Sequence, residues 1–152
     1  MTKALTLPGL AALLGACTPG PAAYILECNG TQTFDWGGQS ATSMTTLYYR
    51  IDEQRAAIFG QKPGGQMDNV CRSSCADMQF TPATIAWTDV SEDGEGHSTR
   101  IATRLERASG ELTIRTESHQ DGASGSETTL EGSGFFHCHT VPTIPQAPST
   151  AN

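Results

Sequence analysis

Ser43-Met-Thr-Thr-Leu47-Tyr-Tyr-Arg-Ile51-Asp52 decides the fold class, because apolar and polar residues alternate along its second half with period two. Leu47, Tyr49 and Ile51 fall on one face of an extended chain, Thr46, Tyr48 and Arg50 on the other. That is the pattern of a strand with one side turned to a core. After a tight Asp52-Glu53-Gln54 bend, Arg55 to Phe59 reads as its hairpin partner. Upstream, Tyr24-Ile-Leu-Glu-Cys28 reads as a first strand, stopped by the turn dipeptide Asn29-Gly30. Residues 32–42 contain Gly37-Gly38 and read as a loop carrying Phe34 and Trp36.

Downstream the same grammar repeats. Gly60 to Asp68 is a Gly/Pro loop, Val70 to Cys75 a short cysteine-bearing segment, and Met78-Gln-Phe80 a short strand. Ile85-Ala-Trp87 opens a strand that an acidic hairpin loop, Ser91 to Gly96, separates from Ser98 to Leu105. Arg107-Ala-Ser-Gly110 turns the chain into Glu111 to Glu117. A loop at Gln120 to Ser126 precedes two further strands, Glu127 to Glu131 and Gly134 to His139. Seven or eight short strands with turn residues between them imply an all-β domain, a small antiparallel barrel or sandwich. Pairing the first strand with the last would close it and remove exposed edges. Large apolar residues are few, which points to a filled interior.

The amino terminus has a different character. Lys3 precedes an apolar run from Ala4 to Ala16, too short for the ~20 residues of a membrane-spanning helix. It ends in Leu14-Gly-Ala-Cys17, which resembles the lipobox of bacterial lipoproteins. The expectation is a signal peptide over residues 1–16, Cys17 acylated as the first mature residue, and a flexible tether over 17–23. The β domain then occupies 24–141, and a Pro/Thr/Ala/Ser-rich tail, disordered by composition, occupies 142–152. The lipid would hold the protein in the membrane. Thr18, in place of the Asp that favours inner-membrane retention in that class, points to the periplasmic face of the outer membrane.

Five cysteines suit an oxidising compartment once Cys17 is assigned to lipid. The other four allow three connectivities. The favoured one joins Cys71 to Cys75 around a tight turn and Cys28 to Cys138 between the first and last strands. The charge of −7, nine Lys+Arg against sixteen Asp+Glu, offers no basic cluster and argues against nucleic acid. It would favour a basic protein partner through steering.

The order of markers, Tyr24-x3-Cys28-x-Gly30, Tyr49-x-Ile51-Asp52, two mid-chain cysteines, Arg107-x2-Gly110-x-Leu112 and Gly134-x3-Cys138, resembles a group of small uncharacterised bacterial envelope lipoproteins. The resemblance implies fold and not chemistry. The chain is also similar, more loosely, to the MliC-type lysozyme inhibitors, which are lipid-anchored eight-stranded barrels that insert a Ser-containing loop and a basic residue into the lysozyme cleft. Gly132-Ser133-Gly134 is the analogous stretch here, but no Lys stands in a matching position, since the only lysine after Lys3 is Lys62.

Four stretches carry possible chemistry. His137-Cys138-His139 places two imidazoles on one face of a strand, able to ligate a metal if His97, His119 or a loop carboxylate joins them. The plainer reading is two surface histidines beside a disulfide. Asp89-x-Ser91-x-Asp93-Gly94 opens like a calcium loop but has Arg100 at its twelfth position, so a solvated hairpin loop is the better account. Glu117-Ser-His119-x-Asp121 holds acid, imidazole and hydroxyl as mere chain neighbours, which is not a positioned triad. Trp36 and Ser133 are candidate partner contacts, Trp36 alternatively a lid over one barrel mouth, whereas Trp87 belongs to the core.

These residues predict a lipid-anchored envelope protein that binds or builds, without catalytic residues or a cofactor. The alternatives are an inhibitor of C-type lysozyme and a barrel that binds a metal or small ligand.

Overall fold

The computed structural model describes residues 23–71, 75, 77–92, 96–121 and 127–144. Cys17, the signal segment, nearly all of the tether, residues 145–152, and the loop cores 93–95 and 122–126 lie outside the described residues. Among the described residues nine strands form one antiparallel sheet: β1 Tyr24–Trp36, β2 Gln39–Asp52, β3 Ala57–Gln61, β4 Met67–Asn69, β5 Gln79–Phe80, β6 Thr84–Glu92, β7 His97–Glu106, β8 Glu111–Asp121 and β9 Glu127–Val141. Their order is β4-β3-β2-β1-β9-β8-β7-β6-β5. Two meanders, β1–β4 and β5–β9, are therefore joined at the centre of the sheet by the pairing of the first strand with the last. Cys28 lies opposite Cys138 in that register, at disulfide distance, as Cys71 and Cys75 also are.

The sheet is strongly curled. Five strand spacings separate β2 from β6, about 24 Å on a flat sheet, yet the Tyr49 and Trp87 rings meet edge to face with centroids 5.4 Å apart. At one end of the roll, Arg107 in the β7–β8 turn donates from Nη1 to Glu53 Oε1 at 2.7 Å, and Tyr24 donates its hydroxyl to the same oxygen at 2.9 Å. The concave face holds the core: Leu26, Cys28, Ile51, Ile58, Ile85, Trp87, Leu105, Leu112, Ile114 and Phe136. The alternation in β2 is as the sequence predicts, with Ile51 buried and Leu47 and Tyr49 packed against the core.

Three expectations need correction. The sheet is not a closed barrel: β4 and β5, three and two residues long, end it as edges too short to offer each other a ladder. β1 does not stop at Asn29-Gly30, and residues 32–42 are not a loop. β1 and β2 instead pair out to Trp36↔Gln39, around a two-residue turn. Gly37 and Gly38 both take positive φ, 53° and 79°, the type I′ geometry that matches strand twist. β9 is one strand and not two, and its glycines are the reason. Gly132 faces Phe34 and Gly30 faces Phe136 across the β1–β9 ladder. A Cβ on Gly132 would stand 2.8 Å from the Phe34 ring, and one on Gly134 2.6 Å from Phe136 Cε2. On Gly30 it would strike the Phe135 carbonyl and stand 2.6 Å from Phe136 Cα. These glycines make room for two rings; they do not break strands.

Candidate functional site

Where the curl brings β2 and β3 towards β6 and β7, the concave face is not filled. A cleft of about 390 Å³ remains, contrary to the expected filled interior. Leu47 and Tyr49 of β2, Trp87 of β6 and Ile101 of β7 give it an apolar wall, and Val70, just after β4, completes the apolar side. Gly60 of β3 preserves the space: a Cβ there would meet Val70 Cγ1 at 3.1 Å and Tyr49 Cε1 at 3.6 Å. The rim carries the ion pair of Lys62 with Asp68. Burial pushes the Tyr49 phenol well above its ordinary pKa, so it stays a neutral hydroxyl.

The lining also holds polar residues, among them Thr103, Ser91 and a carboxylate of β6. Asp89 shares the inward parity of Ile85 and Trp87, pairs in the ladder with Ile101 and lines the cleft. Its Oδ1 is buried and no protein donor reaches it. Sequence reasoning missed this residue by assigning it to the acidic loop, although its parity with Ile85 and Trp87 was the available signal.

The residues singled out from sequence do not gather at this cleft. His137 and His139 share the convex face, as their spacing implies. His139 Nε2 lies 3.9 Å from Glu27 Oε1, and the His137 ring meets Phe135 edge to face at 5.5 Å. Glu27 accepts from Asn29 Nδ2 at 3.0 Å and from the Tyr48 hydroxyl at 3.1 Å. These bonds, with His139, hold its carboxyl below the usual range. The expected third metal ligand does not arrive. His119 pairs with Thr129, ten residues along β9 from His139, roughly 34 Å at strand rise, and His97 lies at that same end. Among the described residues no three His, Cys, Asp or Glu side chains form a group that could hold a metal.

Ser133 stands on the convex face within β9, between Thr33 and Arg115, and not on a protruding loop, because its flanking glycines serve the concave packing. Trp36 lies at the tip of the β1–β2 hairpin, 41% exposed, and not as a lid. In the Glu117-Ser118-His119 stretch, strand alternation sends Ser118 to the face opposite its neighbours, 3.0 Å from Thr99 Oγ1.

Searches of protein-family models, curated proteins and solved structures find no match to this chain.

Proposed function

We propose that the chain is a non-catalytic binding protein of the bacterial envelope, anchored by acyl chains on Cys17, that holds a small amphipathic ligand in the concave cleft. The carrying observation is the cleft itself: an apolar-walled concavity of about 390 Å³ with the Tyr49–Trp87 pair in its wall. That size and composition suit a small molecule and not a polymer. The small-ligand reading thus moves ahead of a purely structural role. The anchoring rests on Leu14-Gly-Ala-Cys17 alone.

The test is titration with N-phenyl-1-naphthylamine, a neutral dye that brightens in apolar sites, against the wild type and Ile101→Phe, which narrows the cleft without making it polar. Saturable one-to-one binding, weakened by Ile101→Phe in a protein of unchanged circular dichroism, supports the reading. Absence of saturable binding, or binding indifferent to Ile101→Phe, overturns it.

A further inference from the structure

We infer that the ligand of this cleft is a cationic amphiphile, an amine or ammonium group on a compact apolar body, with Asp89 as its counter-charge. The inference rests on the cleft reading above and adds the chemistry of the occupant.

The first argument is the position of Asp89. A carboxylate on the concave parity of a strand, in line with Ile85 and Trp87 and opposite Ile101, stands where the other inward residues are chosen for packing. Its Oδ1 is shielded from solvent and receives no protein hydrogen bond. Burying such an acceptor without a donor is unfavourable, and more so when it carries charge. On its own row Trp87 precedes it and Ser91 follows towards the open end, and neither donates to it. A carboxylate so placed in the cleft lining, unpartnered at Oδ1, is explained if an occupant brings the counter-charge.

The second argument is the company it keeps. Trp87 lies two residues away on the same face and meets Tyr49 edge to face, and both residues line the cleft that Asp89 also lines. Aromatic faces attract cations through the ring quadrupole, and tryptophan does so most strongly. A carboxylate beside two such rings recognises a positive, hydrogen-bond-donating head. Leu47, Val70 and Ile101 provide for the apolar remainder.

The third argument is exclusion. An anionic ligand would meet Asp89 and an acidic protein, and Lys62 on the cleft rim is already paired with Asp68. A neutral apolar ligand would leave Oδ1 as it is. A cationic, donor-bearing head meets the Asp89 carboxylate with both charge and hydrogen bonds.

The experiment uses the purified full chain in a Trp36→Phe background, so that Trp87 is the only tryptophan. Three probes that share a phenylethyl body are titrated by calorimetry and Trp87 fluorescence: 2-phenylethylamine, 2-phenylethanol and 3-phenylpropanoate. The inference expects the amine to bind roughly tenfold or more tightly than the alcohol, with the carboxylate weakest. It also expects Asp89→Asn to remove most of that preference, the amine losing far more affinity than the alcohol. An amine no better than the alcohol, or a preference that survives Asp89→Asn, overturns the cationic inference and leaves the cleft reading standing. The same holds if the naphthylamine dye binds and the amine does not. If neither the dye nor any probe binds, both fall. Selectivity within the wild type decides the matter even if Asp89→Asn proves poorly folded.

Discussion

The bond between Cys28 and Cys138 joins residues 110 apart in sequence, at the one place where the two meanders pair. In the chain-entropy model, closing a loop of that length lowers the freedom of the unfolded chain by about 4.8 kcal/mol, against about 2 kcal/mol for the four-residue separation of Cys71 and Cys75. A small domain has about 5–15 kcal/mol in all, so the long bridge is a large share of the total. The clean perturbation is reduction in a Cys71→Ser/Cys75→Ser background, because the buried Cys28 sulfur stays in place and only the bond is lost. Urea unfolding, followed by far-ultraviolet circular dichroism and tryptophan fluorescence, should show a loss of about 3–5 kcal/mol, the lower end reflecting residual order in the unfolded chain. Refolding should slow as well, since β1 must then find β9 across nearly the whole chain. A loss under about 1 kcal/mol would refute the argument. It would mean that the unfolded chain already holds its ends together, or that β1 and β9 are not the joint between the meanders.

Four further outcomes are expected. Gly30→Ala should cost about 1–3 kcal/mol in urea unfolding, because the clash is with the Phe135 carbonyl and Phe136 Cα, and backbone has no rotamer to retreat to. Gly37→Ala meets nothing within 4 Å and should cost only the strain of its φ of 53°, about 1 kcal/mol. The pH profile should bend at both ends. The Arg107 hydrogen bond, with help from Tyr24, holds the Glu53 carboxyl below its ordinary 4.5, so that contribution is full above this value and lost as pH falls through the lowered folded value. Glu53→Gln should flatten the acid limb. Burial first, and then Glu53, pushes the Tyr24 phenol up to about 12, so its share is full below pH 10 and lost as pH rises from 10 towards 12. Tyr24→Phe should reduce the alkaline slope without abolishing it, because Tyr48 and Tyr49 are raised too. Finally, Cys17→Ser should abolish incorporation of a palmitate analogue and release the protein from membranes; persistent labelling would refute acylation at that residue.

Strand identity was legible wherever one face had to be apolar, as in Leu47-x-Tyr49-x-Ile51 and Ile101-x-Thr103-x-Leu105. It failed where the reason for a residue lay far away in sequence. Asn29-Gly30 has the local signature of a turn, but Gly30 is small because Phe136 lies across the ladder from it, more than a hundred residues on. Asn29, for its part, is held by Thr46 Oγ1, which donates to its Oδ1 at 2.6 Å from the neighbouring strand. Gly132-Ser133-Gly134 invited the reading of an exposed loop for the same reason, its counterparts being Phe34 and Phe136. Glycine is ambiguous locally, since a turn and a close approach both require it, and only the register separates them. The cysteines were more readable because oxidation, even number and strand position act together. The cleft was not legible at all: Tyr49 and Trp87 belong to different meanders, and nothing in either strand shows that the sheet curls until they touch.

The extent of that curl links the fold to the site. A sheet of this length could have closed, and closure would have shielded every edge and filled the interior with side chains. Here the rolling stops at the Tyr49–Trp87 contact and at the Tyr24–Glu53–Arg107 bonds at one end, because the strands that should meet next, β4 and β5, are too short to pair. What remains beside the aromatic contact is the space that Gly60 keeps clear and that Asp89 faces. A residue chosen only for stability at position 89 would be apolar, in keeping with Ile85 and Trp87. A residue chosen for a solvated hairpin would sit on the other parity. Asp89 satisfies neither demand, and it does so in the lining of the cleft beside the aromatic contact.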